Sequence, residues 1–171
     1  YPEFLKENDL IGVTAPSAGL DEGHLVGYLK SLEHFHARGW QVTETANVRL
    51  PDMPSSSGAQ RAKELKGLSQ DGRVRMIWCA AGGDFLVEML PYTDFEALRA
   101  NPKWVQGYSD PTGLLFPITT KYDVATIYGP NAGGFDMDFL LHFGPSHYTD
   151  MFHSNNPYFN KDGKGSAKEF F

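Results

Sequence analysis

The residues best suited to covalent chemistry lie in one short segment, Gly107-Tyr108-Ser109-Asp110. An apolar run precedes this segment and a helix-forming stretch follows it, so the chain must turn sharply from a strand into a helix at Ser109. Such a turn exposes the side chain at its apex, and a small residue before it leaves room for the bend. An exposed serine hydroxyl of this kind can act as a nucleophile. Pro111 replaces the second glycine of the Gly-x-Ser-x-Gly pattern, so an ordinary turn remains the alternative.

Backbone groups near Ser109 could stabilise the negative charge that forms when a hydroxyl attacks a carbonyl. We expect Asp110 to be the N-cap of the following helix and Pro111 its first residue. The helix N terminus then directs the positive end of its dipole toward Ser109, and the Asp110 N–H is a candidate oxyanion donor. Glycines at Gly82-Gly83 end another apolar run, where backbone N–H groups can approach a ligand closely. A plain turn is the alternative for these glycines.

A serine nucleophile requires a general base, which is oriented by an acid. None of the six histidines stands in a recognisable catalytic context. Three of them belong to the first helical segment and are expected to be solvated: His24, His34 and His36. The other three, His142, His147 and His153, are spaced five and six apart, which places no two on one helical face and predicts no metal site. Either the base lies outside these residues or the serine is inert.

Composition limits the class of protein further. The chain has 171 residues, of which 41% are apolar and 21% charged, as in one globular domain or one domain and part of a second. Its net charge of −6, without a basic run, argues against a nucleic-acid binder, and no apolar run approaches the roughly 18 residues of a membrane span. The single cysteine, Cys79, excludes an internal disulfide and fits a reducing compartment. It lies inside an apolar run, which favours a buried structural thiol over a nucleophile.

Strand and helix patterns alternate along the chain. Short apolar runs predict strands at residues 10–15, 40–43, 74–80, 104–106 and 125–128. A first helix is indicated between the first two strands, and Ser57 with Gln60 three residues later predicts a capping box at the start of a second helix. This alternation predicts an α/β fold with a mainly parallel sheet and helices on both faces.

The alternating pattern fades after Gly134. Beyond it the chain carries aromatic residues, Asn, Gly and Lys without a sustained period. We therefore assign residues 1–134 to an N-terminal α/β domain that carries the Ser109 turn. Residues 135–171 are interpreted as a linker or as the truncated start of a C-terminal region.

Seven short motifs occur along the chain in a fixed order: Ile11-Gly12-Val13-Thr14-Ala15-Pro16-Ser17, Arg61-Ala62 with Leu65, Ala81-Gly82-Gly83, Leu90-Pro91-Tyr92-Thr93-Asp94-Phe95, Asn101-Pro102-Lys103, Gly107-Tyr108-Ser109-Asp110-Pro111-Thr112 and Tyr128-Gly129-Pro130. Together they resemble the N-terminal half of the bacterial LD-carboxypeptidases, a family that also contains the microcin C self-immunity peptidases. The resemblance covers about residues 9–134, and the motif around Ser109 is its most specific part.

The resemblance implies the N-terminal domain of a two-domain cytoplasmic serine peptidase, with a flavodoxin-like or class I amidotransferase-like sheet. Ser109 matches the nucleophile of a Ser-Glu-His triad, and the backbone of Asp110 and of Gly82-Gly83 matches the oxyanion hole. The Glu and His of the triad come from a C-terminal domain of the same protein. The isolated 171-residue chain is therefore expected to be nearly inactive, and no cofactor or metal is implied.

The expected substrates are peptides of two kinds. Typical members of the family release terminal D-alanine from murein tetrapeptides during murein recycling, and the immunity branch cleaves an amide that joins a peptide to a nucleotide. Trp104 and Gly83-Asp84 resemble the immunity branch more closely. The alternative is a non-catalytic α/β domain for ligand binding or protein interaction. The expected partners exclude nucleic acid and membrane, and a homodimer stays open.

Overall fold

The computed structural model of the chain describes residues 1–134. Its strands are β1 (Leu10–Thr14), β2 (Gln41–Glu44), β3 (Val74–Cys79), β4 (Trp104–Gly107) and β5 (Ile127–Tyr128). Its helices are α1 (Glu22–Ala37), α2 (Gly58–Gln70), α3 (Phe95–Ala100) and α4 (Thr112–Thr120), with short 3-10 turns at Leu86–Glu88, Leu90–Tyr92 and Ala132–Gly134. The predicted linker at residues 135–171, with His142, His147 and His153, lies outside the described residues, so the domain boundary stays a prediction.

All five strands lie in one parallel sheet in the order β2-β1-β3-β4-β5. The predicted α/β class with a parallel sheet is therefore confirmed, and the strand order is the flavodoxin-like one. Each predicted strand agrees with an observed strand to within two residues at either end. In this topology the strand order reverses between β1 and β3, and ligands bind outside the carboxyl ends of the strands at that point.

Helices cover both faces of the sheet, as the alternation of side chains along β3 shows. Ile77 packs in a core cluster with Leu65 of α2 and Leu114 of α4. The next residue, Trp78, packs against Phe35 of α1 in a tilted arrangement with ring centroids 4.8 Å apart. Because successive strand residues point to opposite faces, α1 lies on one face of the sheet and α2 and α4 on the other.

The first turn of α2 is capped by Ser57, as predicted. The Ser57 hydroxyl accepts a hydrogen bond from the Gln60 amide at 3.3 Å. The reciprocal bond of a capping box, from the Ser57 amide to the Gln60 side-chain oxygen, is absent within residues 1–134, and the Gln60 side-chain amide donates to Glu64 at 3.0 Å. One half of the motif is thus sufficient to begin the helix.

Replacing Gly67 with alanine should stabilise the fold. Gly67 lies exposed in the interior of α2, and a Cβ added there would meet no atom within 4 Å. Alanine loses less backbone freedom on folding than glycine, so the free energy of unfolding should rise by about 0.5–1 kcal/mol. Urea titration followed by circular dichroism measures the change. A fall in stability would mean that this stretch of α2 is not helical in solution.

Candidate functional site

The turn between β4 and α4 has the strained geometry expected of a nucleophile elbow. Ser109 has a φ of 64°, a left-handed conformation that is uncommon for residues other than glycine. The residue is exposed. A Cβ on Gly107 would lie 2.8 Å from the Pro111 Cβ and 3.0 Å from the Cys79 Sγ, so only glycine fits there. The sharp turn at Ser109 thus depends on the close packing of Gly107 against Pro111 and Cys79.

The expected capping of α4 by Asp110 is wrong. The helix begins at Thr112, and Pro111 occupies the N-cap position without a side-chain cap. The Asp110 carboxylate instead accepts a hydrogen bond from the Leu86 amide at 2.8 Å, which a 3-10 turn leaves without an acceptor of its own. The Thr112 amide bonds to the Ser109 carbonyl and satisfies the start of the helix. Asp110 therefore joins the elbow to the loop that follows β3.

The Gly82-Gly83 turn lies directly beside the elbow. A Cβ on Gly82 would be 3.4 Å from the Ser109 Oγ, so a larger side chain would cover that hydroxyl. Gly83 has a φ of 137°, which L-residues rarely adopt. The loop after β1 stabilises this turn, because the Ala18 amide donates a hydrogen bond to the Gly82 carbonyl at 3.0 Å. The structure thus brings the two predicted glycines next to the predicted nucleophile.

The amides of Gly83 and Asp110 are candidates for binding an oxyanion. Neither donates a hydrogen bond to any group within residues 1–134. Buried or half-buried amides normally find a partner, so two unused amides on the loops that flank Ser109 are available to a ligand oxygen. Their role as oxyanion donors stays a prediction.

A cleft of about 290 Å³ opens at the carboxyl ends of the strands, with Ser109 and the Gly82-Gly83 turn in its wall. Three polar residues that the sequence analysis did not select also line it: Asp21, His24 and Asn131. Within the described residues there is no group of three or more His, Cys, Asp or Glu side chains that could hold a metal ion. No helix of that part of the chain is long and apolar enough to cross a membrane.

Asn131 fixes the backbone of the elbow from the side of β5. Its side chain accepts a hydrogen bond from the Tyr108 amide at 3.0 Å and donates one to the Tyr108 carbonyl at 3.3 Å. The preceding carbonyl, that of Pro130, accepts from the side chains of Trp78 and Gln106 at 2.7 and 2.9 Å. An asparagine immediately after the Gly129-Pro130 turn was the available sequence signal.

Asp21 and His24 form a pair on another part of the cleft wall. Asp21 caps α1 by accepting a hydrogen bond from the His24 amide, and its carboxylate also lies 2.8 Å from the His24 Nδ1. These two hydrogen bonds, the backbone one first, hold the pKa of Asp21 below its ordinary value. His24 is exposed, as expected of a solvated residue, but it lies in the cleft. No side chain within residues 1–134 hydrogen-bonds the Ser109 hydroxyl.

The Cys79 thiol should be unreactive in the folded protein. Cys79 is completely buried at the end of β3, and burial raises the pKa of its thiol to about 12. A thiol-disulfide reagent at pH 8 should therefore label less than a tenth of the protein within an hour and all of it after unfolding in guanidinium chloride. Rapid labelling of the folded protein would reopen the question of a cysteine nucleophile.

Comparison with known proteins places these features in a family. A family model described as the LD-carboxypeptidase N-terminal domain matches residues 11–129. A Vibrio cholerae protein provisionally named a carboxypeptidase is 35% identical over 131 residues, which are 76% of this chain and 39% of that protein. The microcin C7 self-immunity protein MccF of Escherichia coli is 31% identical over 127 residues, which are 74% of this chain and 37% of that protein.

Solved structures agree with the sequence matches. A structure of MccF in complex with aspartyl sulfamoyl adenosine superposes with a TM-score of 0.78 at 27% identity and covers 88% of this chain. The aligned part is 45% of the MccF chain. The 171-residue chain therefore spans less than half the length of each of these relatives.

Proposed function

The chain belongs to the LD-carboxypeptidase family, and from this premise we propose that it is the N-terminal, nucleophile-bearing domain of a serine peptidase. The observation that carries the proposal is the strained, exposed Ser109 at the apex of the β4–α4 elbow, in one cleft with the Gly82-Gly83 turn. A strained backbone at a surface turn is maintained only where surrounding contacts enforce it. Here the close packing around Gly107 and the hydrogen bond from the Tyr108 amide to Asn131 provide those contacts.

In the proposed reaction the Ser109 Oγ attacks the carbonyl carbon of an amide bond while a general base takes the hydroxyl proton. The amides of Gly83 and Asp110 donate hydrogen bonds to the resulting oxyanion. Collapse of the tetrahedral intermediate breaks the C–N bond, and the base returns the proton to the leaving amine. Water then hydrolyses the acyl ester of Ser109. The base and its orienting acid, a His and a Glu, come from the C-terminal domain that the family resemblance implies.

The first candidate substrate is a murein tetrapeptide, from which the enzyme would release terminal D-alanine. The family match supports this candidate, because the matching model is that of LD-carboxypeptidases. The second candidate is a peptidyl nucleotide, cleaved at the amide between peptide and nucleotide. It is supported by the likeness to MccF, a self-immunity protein whose structure holds aspartyl sulfamoyl adenosine. Either activity would belong to the bacterial cytoplasm, where the lone Cys79 would remain reduced.

A two-substrate assay tests the proposal. The complete protein, including the C-terminal domain, is incubated with a murein tetrapeptide and separately with a peptidyl nucleotide, and products are separated by chromatography. A tetrapeptide that ends in L-alanine is the matched control. Release of D-alanine without L-alanine supports the first candidate, and release of nucleotide the second. Binding of either compound without any product would favour the alternative, a non-catalytic ligand-binding domain.

A further inference from the structure

Arg61 is a completely buried charged residue that the reaction described above does not use. It lies in the first turn of α2, and its side chain is inaccessible to solvent. Burial of a guanidinium is unfavourable unless hydrogen bonds and opposite charge compensate it. Its donors make four contacts: Nε to the Ser56 carbonyl at 2.9 Å, Nη1 to the carbonyls of Pro16 and Phe85 at 2.8 and 2.9 Å, and Nη2 to the Glu88 carboxylate at 2.8 Å.

The two carbonyls that share Nη1 belong to different loops at the carboxyl edge of the sheet. Pro16 follows β1, and Phe85 follows the Gly82-Gly83 turn that ends β3. Ser17, next to Pro16, accepts a hydrogen bond from the Phe85 amide at 3.2 Å, so the same two loops are joined a second time. The planar guanidinium thus acts as a bridge that sets the spacing of the two loops.

The loop after β3 is attached to the elbow at its other end. The Leu86 amide, one residue beyond Phe85, donates to the Asp110 carboxylate, which follows Ser109 directly. Gly83 lies between the end of β3 and these two attachment points at Phe85 and Leu86. Its φ of 137° is a rare conformation that surrounding contacts must maintain. Displacement of Phe85 would therefore move the Gly83 amide relative to Ser109.

We propose that Arg61 is a positioning residue, which holds the Gly82-Gly83 turn at the distance from Ser109 that oxyanion binding requires. This inference rests on the proposed function, in which the Gly83 amide is an oxyanion donor. Arg61 does not line the cleft, so it acts through the turn and not on the substrate. Loss of an oxyanion donor lowers kcat by about 10²–10³-fold, and a shift of about 1 Å in a catalytic group has a comparable effect.

The test compares Arg61→Lys with Glu88→Gln in the complete protein. Lysine keeps the charge but offers one flexible ammonium, which cannot reproduce the fork that reaches three carbonyls. Arg61→Lys should lower kcat by about 10²-fold with KM changed less than threefold, because the interaction lost acts in the transition state. Glu88→Gln removes the opposite charge but keeps an oxygen that can accept from Nη2, so it should lower stability, keep the three carbonyl contacts and change kcat less than threefold.

A fluorophosphonate probe supplies a readout that general loss of stability would not reproduce. The Ser109 hydroxyl gives its proton to the general base as its oxygen bonds to phosphorus, fluoride leaves, and the phosphoryl oxygen occupies the oxyanion position. The labelling rate of Arg61→Lys should fall in proportion to kcat, at a temperature where circular dichroism shows the variant fully folded. Normal kcat and normal labelling in a folded Arg61→Lys variant would overturn the inference.

Ser17→Ala keeps the test decisive if Arg61→Lys does not fold. It removes only the second bond between the two loops, and kcat should fall about 10-fold with KM unchanged. Unchanged kcat in Ser17→Ala would also count against the inference. A wild-type protein that cleaves neither substrate and does not react with the probe would instead remove the proposed function itself. An active, Ser109-dependent wild type with a fully active Arg61→Lys variant would remove only the role of Arg61.

Discussion

Replacing Ser109 with alanine in the complete protein should reduce kcat by about 10⁴–10⁶-fold, whichever of the two substrates is cleaved. In the proposed mechanism the hydroxyl forms the acyl intermediate, and the oxyanion donors left behind would account for only about 10³–10⁴-fold acceleration over the uncatalysed reaction. Product release measured under single-turnover conditions gives the size of the loss. Thr120→Ala, which removes an exposed hydroxyl at the end of α4, is the matched control and should retain full activity.

The isolated 171-residue chain should be nearly as inactive as that alanine variant. No side chain within the described residues hydrogen-bonds the Ser109 hydroxyl, and a hydroxyl is a weak nucleophile near neutral pH without a base. Turnover at the full rate by this chain would contradict the proposal that the base comes from a C-terminal domain. His24, which lines the cleft and contacts Asp21, would then be the first residue to replace. Unchanged turnover by the complete Ser109→Ala protein would exclude the serine mechanism.

Replacing Gly107 with alanine should impair both stability and activity. The added Cβ would lie 2.8 Å from the Pro111 Cβ and 3.0 Å from the Cys79 side chain, and neither neighbour is at the flexible end of a long side chain. Overpacking of this kind destabilises a protein by about 1–3 kcal/mol. Relief of the overlap must move the elbow, and a shift of about 1 Å at Ser109 should lower kcat by about 10²-fold.

Gly67→Ala is the matched control for that experiment, because it adds the same methyl group where no atom lies within 4 Å. Chemical denaturation gives the stability of both variants, and the assay with the preferred substrate gives kcat. Gly67→Ala should be at least as stable as the wild type and fully active. Wild-type kcat in Gly107→Ala would show that the position of Ser109 does not depend on the close packing under the elbow.

Local sequence patterns predicted most of the secondary structure correctly. The apolar run of β3 and the Ser57 cap of α2 each involve residues only a few positions apart in the sequence. Both features can therefore be predicted from the sequence alone. The same holds for the sharp turn at Ser109, because few residues separate β4 from α4. The prediction that Asp110 caps α4 used only its neighbours in the sequence and was wrong. The Asp110 carboxylate accepts a hydrogen bond from the Leu86 amide, 24 positions away, because the fold places that unsatisfied donor beside it.

The architecture of the cleft depends on contacts between distant parts of the chain. Arg61 meets Pro16 across 45 positions, and Asn131 meets Tyr108 across 23. Hydrophobic periodicity indicates which face of a helix or strand is buried. It does not indicate which polar groups a buried side chain meets once the strands have assembled into the sheet. Arg61 directly precedes the apolar stripe of Ala62, Leu65 and Leu68, and that pattern did not predict that its side chain would be buried. The strand order decided those acceptors, because it brought the loops after β1, β3 and β4 to one edge of the sheet.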